Sequence, residues 1–158
     1  ALNNKLKFLD MLCIIKLHPL QEWSFVNQGN YSNIIFFTHQ EFVHQKLDLY
    51  KVLPLADALI TDYSSVYFDY LLLNRPIAFT IEDISNYANN RGFIFDNPLE
   101  YMPGPKIQTK SDFFMFLEAC LAEKDSYSEE RKNVNEICNY YKDGNNCKRI
   151  LQKVNITN

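Results

Sequence analysis

The run Thr61-Asp62-Tyr63-Ser64-Ser65 sets two adjacent hydroxyls, a third hydroxyl and a carboxylate between two apolar segments. Before it, Ala58 to Thr61 has the character of a buried strand. After it, apolar residues at Val66, Phe68, Tyr70, Leu71 and Leu72 have helical spacing, so a helix is expected over Ser64 to Leu73. A helix start presents unpaired N–H groups and the positive end of a dipole, which favour an anion. With Ser64, Ser65 and Thr61 as hydroxyl donors, the constellation suits a phosphate or a diphosphate. The plainer alternative is a helix capped by serine, with Asp62 closing a turn.

Two other residues belong to the same chemistry. His18 follows the apolar run Met11 to Leu17 and precedes Pro19, which puts it at the carboxyl end of a strand. Ligands of open α/β sheets bind at that edge. An imidazole with an ordinary pKa of about 6.5 can act there as a base or hold a phosphate. Arg91 lies beside Gly92 in a long irregular stretch, where its guanidinium can fork onto phosphate oxygens or make a surface ion pair. Lys16 is a second cation near the His18 edge. His39 and His44 have no partners at metal-ligand spacing and read as surface residues, while Phe113, Phe114 and Phe116 read as core packing.

The elements that would position these residues alternate along the chain. Met11 to Leu17, Ser32 to Thr38, Ala58 to Thr61 and Pro76 to Thr80 are short apolar runs without polar alternation, as in strands covered on both faces of a parallel sheet. Helical patterns fall at Leu47 to Ala56, Ser64 to Leu73, Ser111 to Ala122 with a Ser-Asp cap, Ser126 to Tyr141 and Asn145 to Val154. Ala1 to Phe8 reads as the tail of a helix leading into a strand. Residues 81–109 carry little periodicity and read as a long functional loop. The order predicts an α/β fold with a Rossmann-like, doubly wound, mostly parallel sheet.

The 158 residues fit one α/β domain, and their 47% hydrophobic content is that of a globular chain. A net charge of −3 gives no global reason to expect nucleic acid. No apolar run approaches the roughly 18 residues that span a bilayer, and the polar, lysine-bearing Ala1 to Asp10 does not resemble a signal peptide. Cys13, Cys120, Cys138 and Cys147 form no CxxC pair, which argues against a zinc knuckle and for a reducing compartment. No residue cluster suggests a metal site. The glycosylation-type triplets at Asn30 and Asn155 read as chance matches in an asparagine-rich chain. Four glycines are too few for GxGxxG or a Walker loop, and no GxSxG surrounds Ser64 or Ser65.

Lys16-Leu17-His18-Pro19, then Ala56 through Ser65 (ADALITDYSS) and Phe68-Asp69-Tyr70, resemble the CDP-glycerol glycerophosphotransferase family. Arg75-Pro76, Tyr87, Arg91-Gly92-Phe93, Asp96, Pro103-Gly104-Pro105, Asp143-Gly144 and Arg149 follow in that family's order, so the likeness runs from about residue 5 to 154. The resemblance implies a transferase that moves glycerol phosphate, or ribitol phosphate, from a CDP-linked donor to a teichoic-acid-like or capsular polymer. It implies a fold similar to the two-lobed GT-B glycosyltransferases, with this chain as the C-terminal, donor-binding lobe. The family's first strand of that lobe and its N-terminal lobe, which meets a lipid-linked or polymeric acceptor, would then be missing, and the fragment inactive alone.

Carried over by position, the resemblance makes His18 a catalytic residue. It makes Thr61, Asp62, Tyr63, Ser64, Ser65, Asp69 and Arg91 donor-phosphate-binding. It implies CDP-glycerol or CDP-ribitol as substrate, no tightly bound cofactor, and a cytoplasmic parent enzyme peripheral on the inner membrane face. Two other readings compete: the donor lobe of a nucleotide-sugar glycosyltransferase, and a non-enzymatic receiver-like signalling domain. MLCIIKLHP lacks the acidic cluster that the receiver needs.

Overall fold

The computed structural model describes residues 1–16 and 29–155. These fall into two compact units, the first built from Ala1–Ala56 and Phe113–Lys124, the second from Asp57–Asp112 and the chain from Asp125 onward.

The first unit opens with α1 (Leu2–Phe8), then β1 (Cys13–Lys16) and β2 (Ile34–Phe37), paired in parallel from Cys13↔Ile34 to Lys16↔Phe37. Leu6, Leu9, Ile34 and Leu117 form its buried core, with Phe113 and Phe114 packed against it, as the aromatic stripe predicts. α2 (His39–His44) was not expected from periodicity, being only six residues long. Its signal is local: Thr38 Oγ1 accepts from the Glu41 N–H while the Glu41 carboxylate accepts from the Thr38 N–H, a reciprocal capping box. α3 (Leu49–Val52) is capped by Asp48, and a 3₁₀ turn at Leu53–Leu55 replaces the last turn of the predicted helix, where Pro54 removes an N–H.

The second unit holds a three-stranded parallel sheet in the order β3 (Leu59–Thr61), β4 (Ile77–Thr80), β5 (Lys106–Ile107). β4 is central, and Ile77, Ala78 and Phe79 are fully buried, which is why this strand shows no polar alternation. α4 (Val66–Tyr70) and a 3₁₀ turn at Leu71–Leu73 connect β3 to β4 and bury Tyr67, Tyr70 and Leu71.

The expectation of a structureless 81–109 is corrected. α5 (Ile84–Asn90), a 3₁₀ turn at Pro98–Tyr101 and β5 lie within it. α5 escapes a periodicity search because Ile-Ser-Asn-Tyr-Ala-Asn-Asn buries no residue fully, and β5 because it is two residues long. Pro103-Gly104-Pro105 is a packing motif: a Cβ on Gly104 would overlap the Ile77 carbonyl, and the Pro105 carbonyl accepts from the Phe79 N–H at 2.9 Å.

α6 (Lys110–Leu121) starts from Thr109, not from Ser111. The Asp112 carboxylate accepts from the Gln108 and Thr109 N–H groups, and Thr109 Oγ1 accepts from the Asp112 N–H. α7 (Ser128–Cys138) is shorter than expected at both ends, and α8 (Asn146–Lys153) closes the described chain. α7 is pinned by Arg131, 1% exposed, which forks onto Asp125 and donates to the Asn74 carbonyl at 3.1 Å.

All described strand pairings are parallel and group into two open sheets of a mixed α/β fold, as the unalternating runs predict.

Candidate functional site

Parallel pairing of β3 and β4, with Thr61 opposite Phe79, sends both chains out over one carboxyl edge. The Thr80 hydroxyl, at the end of β4, donates to the Thr61 carbonyl at 3.4 Å and ties the two exits together. After Thr61 the chain turns sharply. Asp62 Oδ1 accepts from the Ser64 N–H at 2.8 Å, an Asx closure, and lies 3.5 Å from Thr61 Oγ1.

The expectation that serine caps a helix beginning at Ser64 is corrected. α4 begins at Val66, and Ser65 stands at its N-cap with φ −59° and ψ −13°, already helical, so its side chain makes no capping bond. Both serines are exposed. The Tyr67 and Phe68 N–H groups close back onto the Ser64 and Ser65 carbonyls at 3.3 and 3.1 Å. The turn thus offers an anion mainly hydroxyls, with less from the short α4 than a full helix start would give.

Tyr63 joins this turn to the Arg91 loop. Its hydroxyl donates to Asp83 Oδ1, and its ring lies 4.2 Å from that of Tyr87 and 5.5 Å from that of Phe93, centroid to centroid. Tyr87 and Phe93 are themselves 5.0 Å apart. Burial first, then the Asp83 carboxylate, pushes the Tyr63 phenol well above the ordinary tyrosine range, so it stays a donor.

The Tyr87 carbonyl accepts from the Arg91 and Gly92 N–H groups at 2.8 and 3.1 Å, ending α5. Gly92, at φ +75°, reverses the chain so that Phe93 returns to the cluster. Arg91 is left exposed on the turn so formed.

The structure therefore holds Thr61, Asp62, Tyr63, Ser64 and Ser65 in one turn and, through the Tyr63 ring, packs that turn against the segment that carries Arg91. Asp69 is exposed on α4, and among the described residues no hydrogen bond joins it to the turn. His18 lies outside the described residues. Lys16 ends β1 in the other unit, its ammonium over the Phe42 ring at 5.4 Å. Sequence reading missed Asp83 and Thr80; the available signal for Asp83 was an aspartate directly before the Ile84–Tyr87 apolar pair, a helix-start position. Among the described residues no group of three or more His, Cys, Asp or Glu side chains could hold a metal ion, and no helix is long and apolar enough to cross a membrane.

The sequence profile described as CDP-Glycerol:Poly(glycerophosphate) glycerophosphotransferase matches residues 2–155. The chain is 26% identical to a teichoic acid poly(ribitol-phosphate) polymerase of Bacillus spizizenii over 148 residues, 92% of this chain and 22% of the relative. It is 32% identical over 120 residues to a teichoic acid glycerol-phosphate transferase of Staphylococcus aureus, 73% of this chain and 31% of the relative. The solved structure of the wall teichoic acid polymerase TagF superimposes with a TM-score of 0.73 at 26% identity, covering 98% of this chain and 37% of that one. A variant of that polymerase soaked with CDPG superimposes with a TM-score of 0.74. The chain thus spans about a third or less of the curated relatives it matches. The resemblance carried by TDYSS, RGF and PGP is borne out, and the chain belongs to the CDP-glycerol:poly(glycerophosphate) glycerophosphotransferase family.

Proposed function

We propose that this chain is the donor-binding part of a transferase that moves glycerol phosphate, or a related polyol phosphate, from a CDP-linked donor to a teichoic-acid-like or capsular polymer. The observation that carries this reading is the joining of the Thr61–Ser65 turn to the Arg91 loop through Tyr63 in a member of this family. The donor diphosphate would lie against the hydroxyls of Thr61, Ser64 and Ser65 and be forked by Arg91, with Asp69 at the margin. Asp62 shapes the turn.

In the reaction, an acceptor hydroxyl oxygen attacks the β-phosphorus and forms a new P–O bond. The bond to the bridging oxygen breaks, CMP leaves with that electron pair, and the acceptor proton passes to a base. Such transfer depends on positioning and on charge stabilisation. His18 would relay that proton or stabilise the leaving group, and Arg91 would offset charge on the diphosphate. The acceptor, lipid-linked or polymeric, would be met by a separate N-terminal lobe, and the parent enzyme would work at the cytoplasmic face of the membrane as a peripheral protein. No tightly bound cofactor enters this scheme.

Calorimetric titration of the chain with CDP-glycerol, CDP-ribitol and a UDP-sugar tests the reading. Saturable binding of a CDP-polyol, weaker binding of the UDP-sugar and no turnover by the chain alone are expected. Binding of the UDP-sugar with none of either CDP-polyol overturns it in favour of a nucleotide-sugar transferase.

A further inference from the structure

The Asp83 carboxylate is an odd group to find beside a site for an anion. It occupies the N-cap of α5, where an aspartate ordinarily accepts from the helix's first N–H groups, yet it makes no capping bond there. Its oxygen instead takes the hydroxyl of Tyr63, twenty residues earlier in the chain. Tyr63 sits in the middle of the phosphate turn, between Asp62, whose Oδ1 closes that turn on the Ser64 N–H, and Ser64 itself. Its ring rests against Tyr87 and Phe93, which lie on either side of Arg91 in the chain. One carboxylate therefore holds the side chain through which both loops are joined.

We infer that Asp83 is a positioning residue of the donor-phosphate site: by holding the Tyr63 hydroxyl, its carboxylate fixes the Thr61–Ser65 turn against the Arg91 loop. The inference rests on the proposed function for its ligand but not for its mechanics. A carboxylate near a diphosphate repels it, so on charge alone its removal would tighten donor binding. Positioning has the opposite sign. Losing the tether frees Tyr63, loosens the Asp62–Ser64 closure and weakens binding. A group held in place by a hydrogen-bonded neighbour is more effective than one left to find its own geometry.

The test uses the whole chain with three substitutions: Asp83→Ala, Asp83→Asn and Tyr63→Phe. Asparagine removes the charge but keeps an oxygen that accepts from the phenol, and phenylalanine keeps the ring between Tyr87 and Phe93 while removing only the tether. Amide exchange at Ser64 is read by NMR without ligand, and CDP-glycerol affinity by calorimetry. Asp83→Ala and Tyr63→Phe are expected to speed Ser64 exchange and weaken donor binding by about tenfold each, with Asp83→Asn close to the parent in both. Tighter binding in both Asp83 variants, or Ser64 exchange unchanged in Asp83→Ala and Tyr63→Phe, overturns the inference. If Asp83→Ala does not fold, Tyr63→Phe decides. Should the parent chain fail to bind CDP-glycerol at all, the proposed function falls, whereas the exchange data still judge the tether.

Discussion

Ser64 and Ser65 carry hydroxyls that no capping bond consumes, and Arg91 is exposed at the C-cap of α5. Replacing both serines by alanine should lower CDP-glycerol affinity by about tenfold, measured calorimetrically, because two neutral donors to a charged acceptor are lost. Arg91→Ala should cost about as much, and Arg91→Lys should not restore it, since an ammonium cannot reproduce the planar fork. Affinity unchanged in the double serine variant would remove the turn from the site. Tyr63 supplies a separate check. Its phenol should titrate above the ordinary tyrosine range in a carbon-13 tyrosine experiment and move down in Asp83→Asn, which leaves the Tyr67 phenol, also raised by burial, where it is. Because the folded chain holds this proton more tightly, the contribution to stability is present below about pH 10 and is lost as pH rises beyond it. At this scale the sequence was informative. The apolar run before it placed Thr61 to Ser65 at the carboxyl end of a strand, where β3 ends, whereas Asp83 was invisible because its partner is twenty residues away and only the fold brings them together.

Helix and strand boundaries were legible where burial was strong and obscure where it was not. β4 stands out in sequence because Ile77, Ala78 and Phe79 are all buried; α5 does not, because it is short and polar. α2 and α6 could have been placed better from their caps, Thr38 with Glu41 and Thr109 with Asp112, than from their apolar residues. The hold on α7 lies in Arg131, whose forked pair with Asp125 and bond to the Asn74 carbonyl leave its charge paired but out of water. Asp125→Ala should destabilise the chain by about 3–5 kcal/mol in urea unfolding, because it strands a buried guanidinium. The Arg131 side chain also holds the Asp125 carboxyl below its ordinary pKa. That contribution is present above about pH 4 and is lost as pH falls further, so acid should unfold the parent more readily than neutral pH. Gly104→Ala should destabilise too, since the new methyl group meets the Ile77 carbonyl in the centre of the sheet.

For the whole molecule, length and charge were poor guides to activity. The net charge of −3 coexists with a turn of neutral donors and one arginine, and a chain of 158 residues matches only 37% of a solved polymerase. Fold class was readable because apolar strands without alternation point to parallel pairing; that the hydrogen-bonded ladders group as two sheets was not, because which strands become neighbours leaves no mark in a linear pattern.

The division of the chain carries one more consequence, for synthesis. The backbone passes between the units at Ala56–Asp57, at Asp112–Phe113 and at Lys124–Asp125, so neither unit is a continuous stretch. When synthesis reaches Asp112, both strands of the first sheet have been made but not Leu117, Phe113 and Phe114, which pack against them. All three strands of the second sheet have been made but not Arg131. Both cores are thus finished late and close together in time, and a released chain that ends at Asp112 should be open to protease, whereas a released chain that continues past α7 should resist it.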